Sequence, residues 1–292
     1  MHTRPLGPGA PAVSVVGLGG MPLSIQERPT DEAAAIRVIH AALDAGMTLI
    51  DSADVYCLDD TDIGHNERLI AKALRSWGGQ QGGIVVATKG GMIRPEGRWE
   101  RDGRPAHLRA ACERSLRALA VECIDLYQLH APDPSVPLTD SVGALADLRR
   151  EGKLRWIGLS NVSVAEIAEA CAVTPVVTVQ NRLNPFFREA IETGVVAHCA
   201  AQGIGFLAYS PVGGGRLNRK LPGMTALQQI AAAHGVSAHA VVLAWVLAQG
   251  PTVFIIPGAR TVEHAVDAAG AANVALSAGD VAALDAAEFS RA

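Results

Sequence analysis

The chain has 292 residues, of which 49% are hydrophobic and 18% are charged, as in an ordinary globular protein that buries a large core. Its formal net charge of −4 gives no basic surface of the kind that nucleic acids or anionic membranes require, so we expect neither as a partner. The first residues lack the apolar region of a secretory signal, and no apolar run approaches the roughly 18 residues of a membrane span. We therefore expect a cytoplasmic protein.

Apolar runs predict eight strands, at residues 13–18, 47–51, 84–89, 124–130, 156–160, 176–180, 204–209 and 253–257. Segments rich in Ala, Leu, Glu and Arg predict helices between and after them, at 31–45, 65–77, 105–120, 139–151, 163–171, 188–202, 224–249 and 261–271. Ser163 and Glu166 form a capping-box pattern, and Thr30 precedes an acidic first turn. Gly46 and Gly203 stand where helices should end, which supports this alternation.

The strict alternation of strand and helix, without a linker, predicts a single α/β domain over 1–292 that forms a closed (β/α)8 TIM barrel. An open doubly wound sheet is the alternative. However, the glycines of 17–22 lack the third glycine of a Rossmann fingerprint, and Pro22 occupies the position where its helix should begin. The Pro and Gly residues of 5–11 predict a short amino-terminal hairpin or plug at the amino-terminal mouth of the barrel. Segment 277–288 predicts an extra carboxy-terminal helix.

Three of the apolar runs end in Asp51, Lys89 and His130, and Tyr56 follows the first run by five residues. The active site of a (β/α)8 barrel lies at the carboxyl ends of its strands, so these four side chains should share one site. Lys89 would stabilise the anion of Tyr56, and Asp51 would keep Lys89 protonated. His130 would hydrogen-bond a substrate oxygen. Such a group of residues suits reduction of a carbonyl by an external hydride donor.

The cysteines and histidines give no indication of a metal site. Five cysteines form an odd and scattered set without a CxxC pair, so we expect reduced thiols rather than disulfides. There is no HExxH motif, and we expect no metal. Trp99, in the arginine-rich stretch after the third strand, is expected either to line the mouth or to pack on the barrel exterior.

A series of motifs in order along the chain resembles the aldo-keto reductase family, whose fold is the same barrel. The matching pieces are GLGGM (17–21), DSADVY (51–56), HNE (65–67), ATK (87–89), DLYQLH (125–130), GKLRWIGLSN (152–161), QN (180–181), YSP (209–211) with the glycines of 213–215, and IPGAR (256–260). The resemblance covers the whole chain. Its motifs are far more specific together than any one of them alone.

The resemblance implies that Tyr56 is the general acid, that Lys89 and Asp51 tune it, and that His130 orients the carbonyl of a small-molecule substrate. It implies NADPH rather than NADH as the cofactor, because a guanidinium at position 260 suits a phosphate. The implied cofactor-binding residues are Gly19, Met21, Ser160, Asn161, Gln180, Tyr209, Ser210, Val212, Gly214, Arg216, Gly258, Ala259, Arg260, Thr261 and His264.

The chain departs from the family pattern at three places. Cys57 follows Tyr56 where the family usually has glycine, and His264 and Ala268 replace a further arginine and asparagine of the cofactor site. The loop after Tyr209 is short, and the chain ends soon after Glu288, so we expect an open mouth with small substrate-covering loops.

Two other functions remain open at this point. One is a cofactor-binding regulatory subunit with little catalysis, since the family includes channel-associated members of that kind. The other is an aldolase that uses Lys89 as a Schiff-base nucleophile. The sequence specifies neither the carbonyl substrate nor the oligomeric state.

Overall fold

A computed structural model describes residues 1–29, 31–80 and 82–292, and its centre is an eight-stranded parallel sheet. The strands are β1 (Thr3–Pro5), β2 (Ala12–Ser14), β3 (Leu18–Gly19), β4 (Leu49–Asp51), β5 (Val85–Gly90), β6 (Met92–Ile93), β7 (Glu100–Arg101), β8 (Ile124–Leu129), β9 (Leu154–Ser160), β10 (Thr178–Arg182), β11 (Gly205–Tyr209) and β12 (Val253–Ile256).

The parallel sheet closes into a barrel. Its strands run in the order β3, β4, β5, β8, β9, β10, β11 and β12. Parallel bridges from Val16 to Ile255 and from Gly19 to Gly258 then join the first strand to the last. The amide of Gly19 donates to the carbonyl of Pro257 at 2.9 Å across this seam. The predicted (β/α)8 barrel is therefore confirmed.

Helices surround the barrel and cover the outer faces of its strands. They are α1 (Glu32–Asp44), α2 (His65–Ser76), α3 (Pro105–Leu119), α4 (Leu138–Arg150), α5 (Val164–Val173), α6 (Glu189–Glu192), α7 (Val195–Gln202), α8 (Gly214–Leu217), α9 (Thr225–His234), α10 (Ala238–Leu247), α11 (Val262–Gly270) and α12 (Ala278–Ala286). No single described helix is long and apolar enough to cross a membrane. Helices α9 and α10 meet that test of length and composition only as a pair, bent by 89° at their break.

Strand alternation decides which side chains enter the barrel. In β8, Leu126 packs inside with the interior cluster, whereas Tyr127 packs outside against the helices. In β5, Ala87 is interior in the same way. Because side chains alternate, Lys89, two residues after Ala87, and His130, four residues after Leu126, lie on the interior face. The polar ends of these strands consequently converge at one mouth.

An amino-terminal hairpin closes the opposite mouth, as predicted. Strands β1 and β2 pair antiparallel, with Thr3 opposite Ser14. Leu6 and Val13 are fully buried in one cluster with interior residues of the barrel. The extra carboxy-terminal helix is α12, whose capping box begins at Ser277.

Several predicted boundaries were wrong. The first predicted strand, 13–18, is divided between the hairpin and the barrel because the chain must leave the plug before joining β4. The predicted helix 224–249 breaks at Gly235, which has a φ of +65° and ends α9. The predicted helix 188–202 breaks at Gly194, which has a φ of +77°. The predicted helix-start signal at Thr30 lies outside the described residues, and Asp31 caps α1.

Candidate active site

The four predicted catalytic residues come together at the carboxyl ends of β4, β5 and β8. The Lys89 ammonium donates to Asp51 Oδ2 at 2.7 Å, to the Ser52 carbonyl at 2.8 Å and to the Tyr56 hydroxyl at 3.0 Å. All three of its N–H groups are therefore used. The ring centroids of Tyr56 and His130 lie 5.9 Å apart, edge to face.

The charges in this site favour a protonated lysine beside a protonated tyrosine. Burial by itself lowers the pKa of Lys89, but Asp51 and Tyr56 oppose it and leave the pKa raised. Burial raises the pKa of Tyr56 and outweighs the nearby Lys89, which lowers it. Lys89 therefore acts on the tyrosine in the expected direction, but desolvation of the hydroxyl has the larger effect on its pKa. The raised pKa keeps Tyr56 in the protonated form that a proton donor needs.

His130 is neutral at physiological pH. Burial lowers its pKa well below the ordinary value, and the positive charge of Lys89 lowers it further. Its Nδ1 is buried without a hydrogen-bond partner in the described structure. A neutral imidazole carries one N–H and one acceptor nitrogen, so it can hydrogen-bond a substrate oxygen without adding charge.

Asp51 is held from its other side by two glutamines inside the barrel. Gln180 donates to Asp51 Oδ1 at 2.7 Å, and Gln128 donates to the same oxygen at 3.3 Å. The buried ion pair between Asp51 and Lys89 therefore has the additional hydrogen bonds that a desolvated pair requires. Gln128 was not among the predicted site residues. Strand alternation would have identified it, since it stands two residues before His130 on the same face.

Trp99 lines this mouth rather than packing on the barrel exterior. Its ring centroid lies 6.5 Å from that of Tyr56 and 6.3 Å from that of His130. The side chain remains 45% exposed. It is carried by the two-stranded hairpin of β6 and β7, which was not among the predicted strands.

The residues expected to hold the nicotinamide lie beside the four, at the ends of β9, β10 and β11. The Tyr209 hydroxyl donates to Asn161 Oδ1 at 2.8 Å, and Asn161 Nδ2 donates to the His130 carbonyl at 3.0 Å. Asn161 and Ser210 have φ values of +59° and +48°. Left-handed backbone at non-glycine residues is uncommon and tends to occur at functional sites.

A basic cavity of about 330 Å³ opens next to the end of β12. It is lined by Gly215, Asn218, Arg219, His239, Arg260 and His264. The Arg260 Nη1 lies 3.6 Å from Glu27 Oε2, and its buried Nε has no partner in the described structure. The expected residues Arg260 and His264 thus face one cavity. The sequence did not indicate Arg219 or His239, because no local pattern shows that the segment 218–223 and the start of α10 lie beside the loop after β12.

The remaining expected cofactor residues have visible structural roles as well. A Cβ on Gly19 would lie 2.6 Å from the Ile256 carbonyl, and one on Gly258 would lie 2.4 Å from Pro22 Cγ, so both glycines permit the barrel seam. Thr261 caps α11 by accepting from the His264 amide. Arg216 is exposed and donates to the Arg291 carbonyl, and it does not line the cavity. The others lie at or near the mouth: Met21 against the Tyr56 cluster, Ser160 at the end of β9, Val212 and Ala259 on the loops after β11 and β12, and Gly214 at the start of α8.

A parallel barrel with polar groups gathered at its carboxy-terminal mouth is the architecture of TIM-barrel enzymes. The sequence model of the Aldo/keto reductase family matches residues 15–288. An uncharacterized oxidoreductase of Schizosaccharomyces pombe is 34% identical over 277 residues, covering 94% of this chain and 86% of the relative. The aldo-keto reductase str7 of Strobilurus tenacellus is 32% identical over 311 residues, covering 94% of this chain and 89% of that protein.

Solved structures agree with these relatives. An aldo-keto reductase from Klebsiella pneumoniae in complex with NADPH has a TM-score of 0.80 at 28% identity, covering 98% of this chain and 95% of that one. This chain belongs to the aldo/keto reductase family of oxidoreductases.

Proposed function

We propose that the protein reduces an aldehyde or ketone to an alcohol with NADPH as hydride donor and Tyr56 as general acid. The observation that carries the proposal is the contact of the fully buried Lys89 with both Asp51 and the Tyr56 hydroxyl. A protonated hydroxyl beside an ammonium can give its proton to a developing alkoxide, because the ammonium stabilises the phenolate that remains. No covalent nucleophile is needed.

NADPH fits the residues present. The buried Arg260 Nε, which has no partner in the described structure, and the guanidinium of Arg219 in the same cavity suit a phosphate. The similar reductase from Klebsiella pneumoniae was solved in complex with NADPH. When bound, the nucleotide supplies the hydride. Ser160, Asn161 and Tyr209 would hold its nicotinamide, and neutral His130 would orient the carbonyl toward the Tyr56 hydroxyl.

The state of Lys89 disfavours the aldolase alternative. A Schiff-base lysine must present a free amine, which requires a lowered pKa. Here the pKa of Lys89 is raised, and its three N–H groups already have acceptors. Borohydride trapping with a carbonyl substrate should therefore leave Lys89 unmodified.

The test of the proposed function is a panel of aldehydes and ketones assayed by loss of NADPH absorbance. We expect turnover of at least one class of carbonyl. A protein that binds NADPH and reduces nothing on a broad panel would instead indicate a regulatory subunit.

A further inference from the structure

Arg94 lies between the segment that carries Tyr56 and the indole of Trp99. It precedes the turn that joins β6 to β7, and it is only 6% exposed. Its Nη1 donates to the carbonyls of Cys57 at 3.0 Å and Val55 at 3.4 Å, and its Nη2 donates to that of Leu58 at 2.9 Å. One guanidinium therefore binds three carbonyls of the short segment that carries Tyr56.

The same guanidinium also holds its own hairpin. Arg94 Nε and Nη2 donate to the Gly97 carbonyl at 3.1 Å and 2.8 Å. Its central carbon lies 4.0 Å from the ring centroid of Trp99, a distance at which a cation and an indole face attract each other. Arg94 thus joins the Tyr56 segment to the tryptophan beside the active site.

The chemistry of these contacts requires arginine. Every polar partner named is a carbonyl oxygen, and the planar fork with five N–H donors can serve several carbonyls while its face stacks on an aromatic ring. Lysine has the charge without the fork or the flat face. The backbone amides of Tyr56 and Cys57 donate only within this turn, to the carbonyls of Ala53 at 3.2 Å and Val55 at 2.9 Å.

We propose that Arg94 is a positioning residue that holds the Tyr56 hydroxyl against Lys89 and holds Trp99 as an aromatic wall, so that the site prefers carbonyls attached to a flat apolar ring. This inference rests on the proposed function, because it assigns Tyr56 the proton transfer. Arg94 touches neither Lys89 nor the reacting atoms. Its effect passes through the loop and the indole.

The value of kcat should depend strongly on where the Tyr56 hydroxyl lies. A displacement of about 1 Å at a reacting group can cost on the order of a hundredfold in rate. Loosening the segment 55–58 should therefore lower kcat for any carbonyl. Loosening Trp99 should raise KM, and more for a substrate with a ring to stack on the indole than for one without.

The experiment compares Arg94→Lys, Arg94→Met and Trp99→Ala with the full-length parent, using benzaldehyde and propanal as probes. The matched control is Arg98→Met on the same hairpin, because Arg98 is exposed and pairs only with Glu96 and Glu100 among the described residues. Both Arg94 variants should lose about a hundredfold in kcat on both probes. Trp99→Ala should raise KM for benzaldehyde more than for propanal, and NADPH affinity should be unchanged in the Arg94 variants.

A pH profile separates positioning from a general loss of fold. Lys89 lowers the pKa of Tyr56, so a tyrosine that moves away from Lys89 should titrate at higher pH. The alkaline limb of the kcat profile should accordingly move to higher pH in Arg94→Lys, which keeps the positive charge. Unchanged kcat in both Arg94 variants, or a loss that follows only the folded fraction or NADPH binding, would overturn the inference. An inactive parent would instead overturn the proposed function.

Discussion

Replacing Tyr56 with Phe tests the proposed mechanism at a single atom. The change removes the hydroxyl oxygen that lies 3.0 Å from Lys89 Nζ. It keeps the ring that packs edge-on against His130 and Trp99. Lys89 retains Asp51 and the Ser52 carbonyl as acceptors, so the site should persist. The structural cost should be about 1.5–3 kcal/mol, as for one buried hydrogen bond to a charged group.

The catalytic cost should be much larger than the structural one. Loss of a positioned general acid typically lowers the rate by about 10²- to 10⁴-fold, or roughly 3–5 kcal/mol in the barrier. The assay is initial-rate NADPH oxidation at saturating carbonyl, with NADPH affinity measured separately by fluorescence and expected to be unchanged.

The chain offers a matched control for this variant. Tyr127 is also a buried tyrosine, but its hydroxyl lies among the helices and has no partner in the described structure. Tyr127→Phe should leave the rate as it is. If Tyr56→Phe retained more than a tenth of the parent rate, Tyr56 would not be the proton donor.

Four further predictions follow from the electrostatics. Arg260→Ala should weaken NADPH by about 10- to 100-fold and NADH far less, since one charge-assisted contact is lost. Glu27→Gln should tighten NADPH by removing a competing carboxylate, and calorimetric titration showing equal effects on both nucleotides would exclude this phosphate site. Lys89→Met should abolish turnover and leave Tyr56 unable to ionise below strongly alkaline pH, which spectrophotometric titration would detect. Asp54→Asn should stabilise the fold increasingly as pH rises. Burial raises the pKa of the Asp54 carboxyl well above its usual value. The contribution of this carboxyl to stability is therefore complete below the unfolded pKa of about 3.9 and is lost as pH rises through the folded pKa. The measurement is urea unfolding of the parent and Asp54→Asn at acidic and at mildly alkaline pH. An equal difference in the free energy of unfolding at both pH values would contradict the prediction.

The strand ends show how far sequence reasoning reaches. Asp51, Lys89 and His130 could be placed together before any coordinates, because alternation along a strand and the common direction of parallel strands leave them one mouth to share. Gln128 was accessible to the same argument. The expected cofactor roles of Ser160, Asn161 and Tyr209 remain proposals.

Arg94 and the basic cavity show where that reasoning stops. The carbonyls bound by Arg94 belong to a loop 36 to 39 residues away, and no periodicity reports where a loop carbonyl points. His239 and Arg260 share a cavity only because α10 packs near the end of β12. The first strand was misplaced for a similar reason, since its division depends on how the hairpin fills the barrel.

By itself, the sequence determined the alternating strands and helices, the closed barrel and the identity of the four central residues, because these depend on local periodicity and on strand direction. Only the tertiary structure decided the sign of the Tyr56 pKa shift, the position of Trp99 at the mouth of the barrel and the hydrogen bonds from Arg94 to the segment 55–58. Those depend on desolvation and on contacts between distant loops, which are set by the packing of the whole chain.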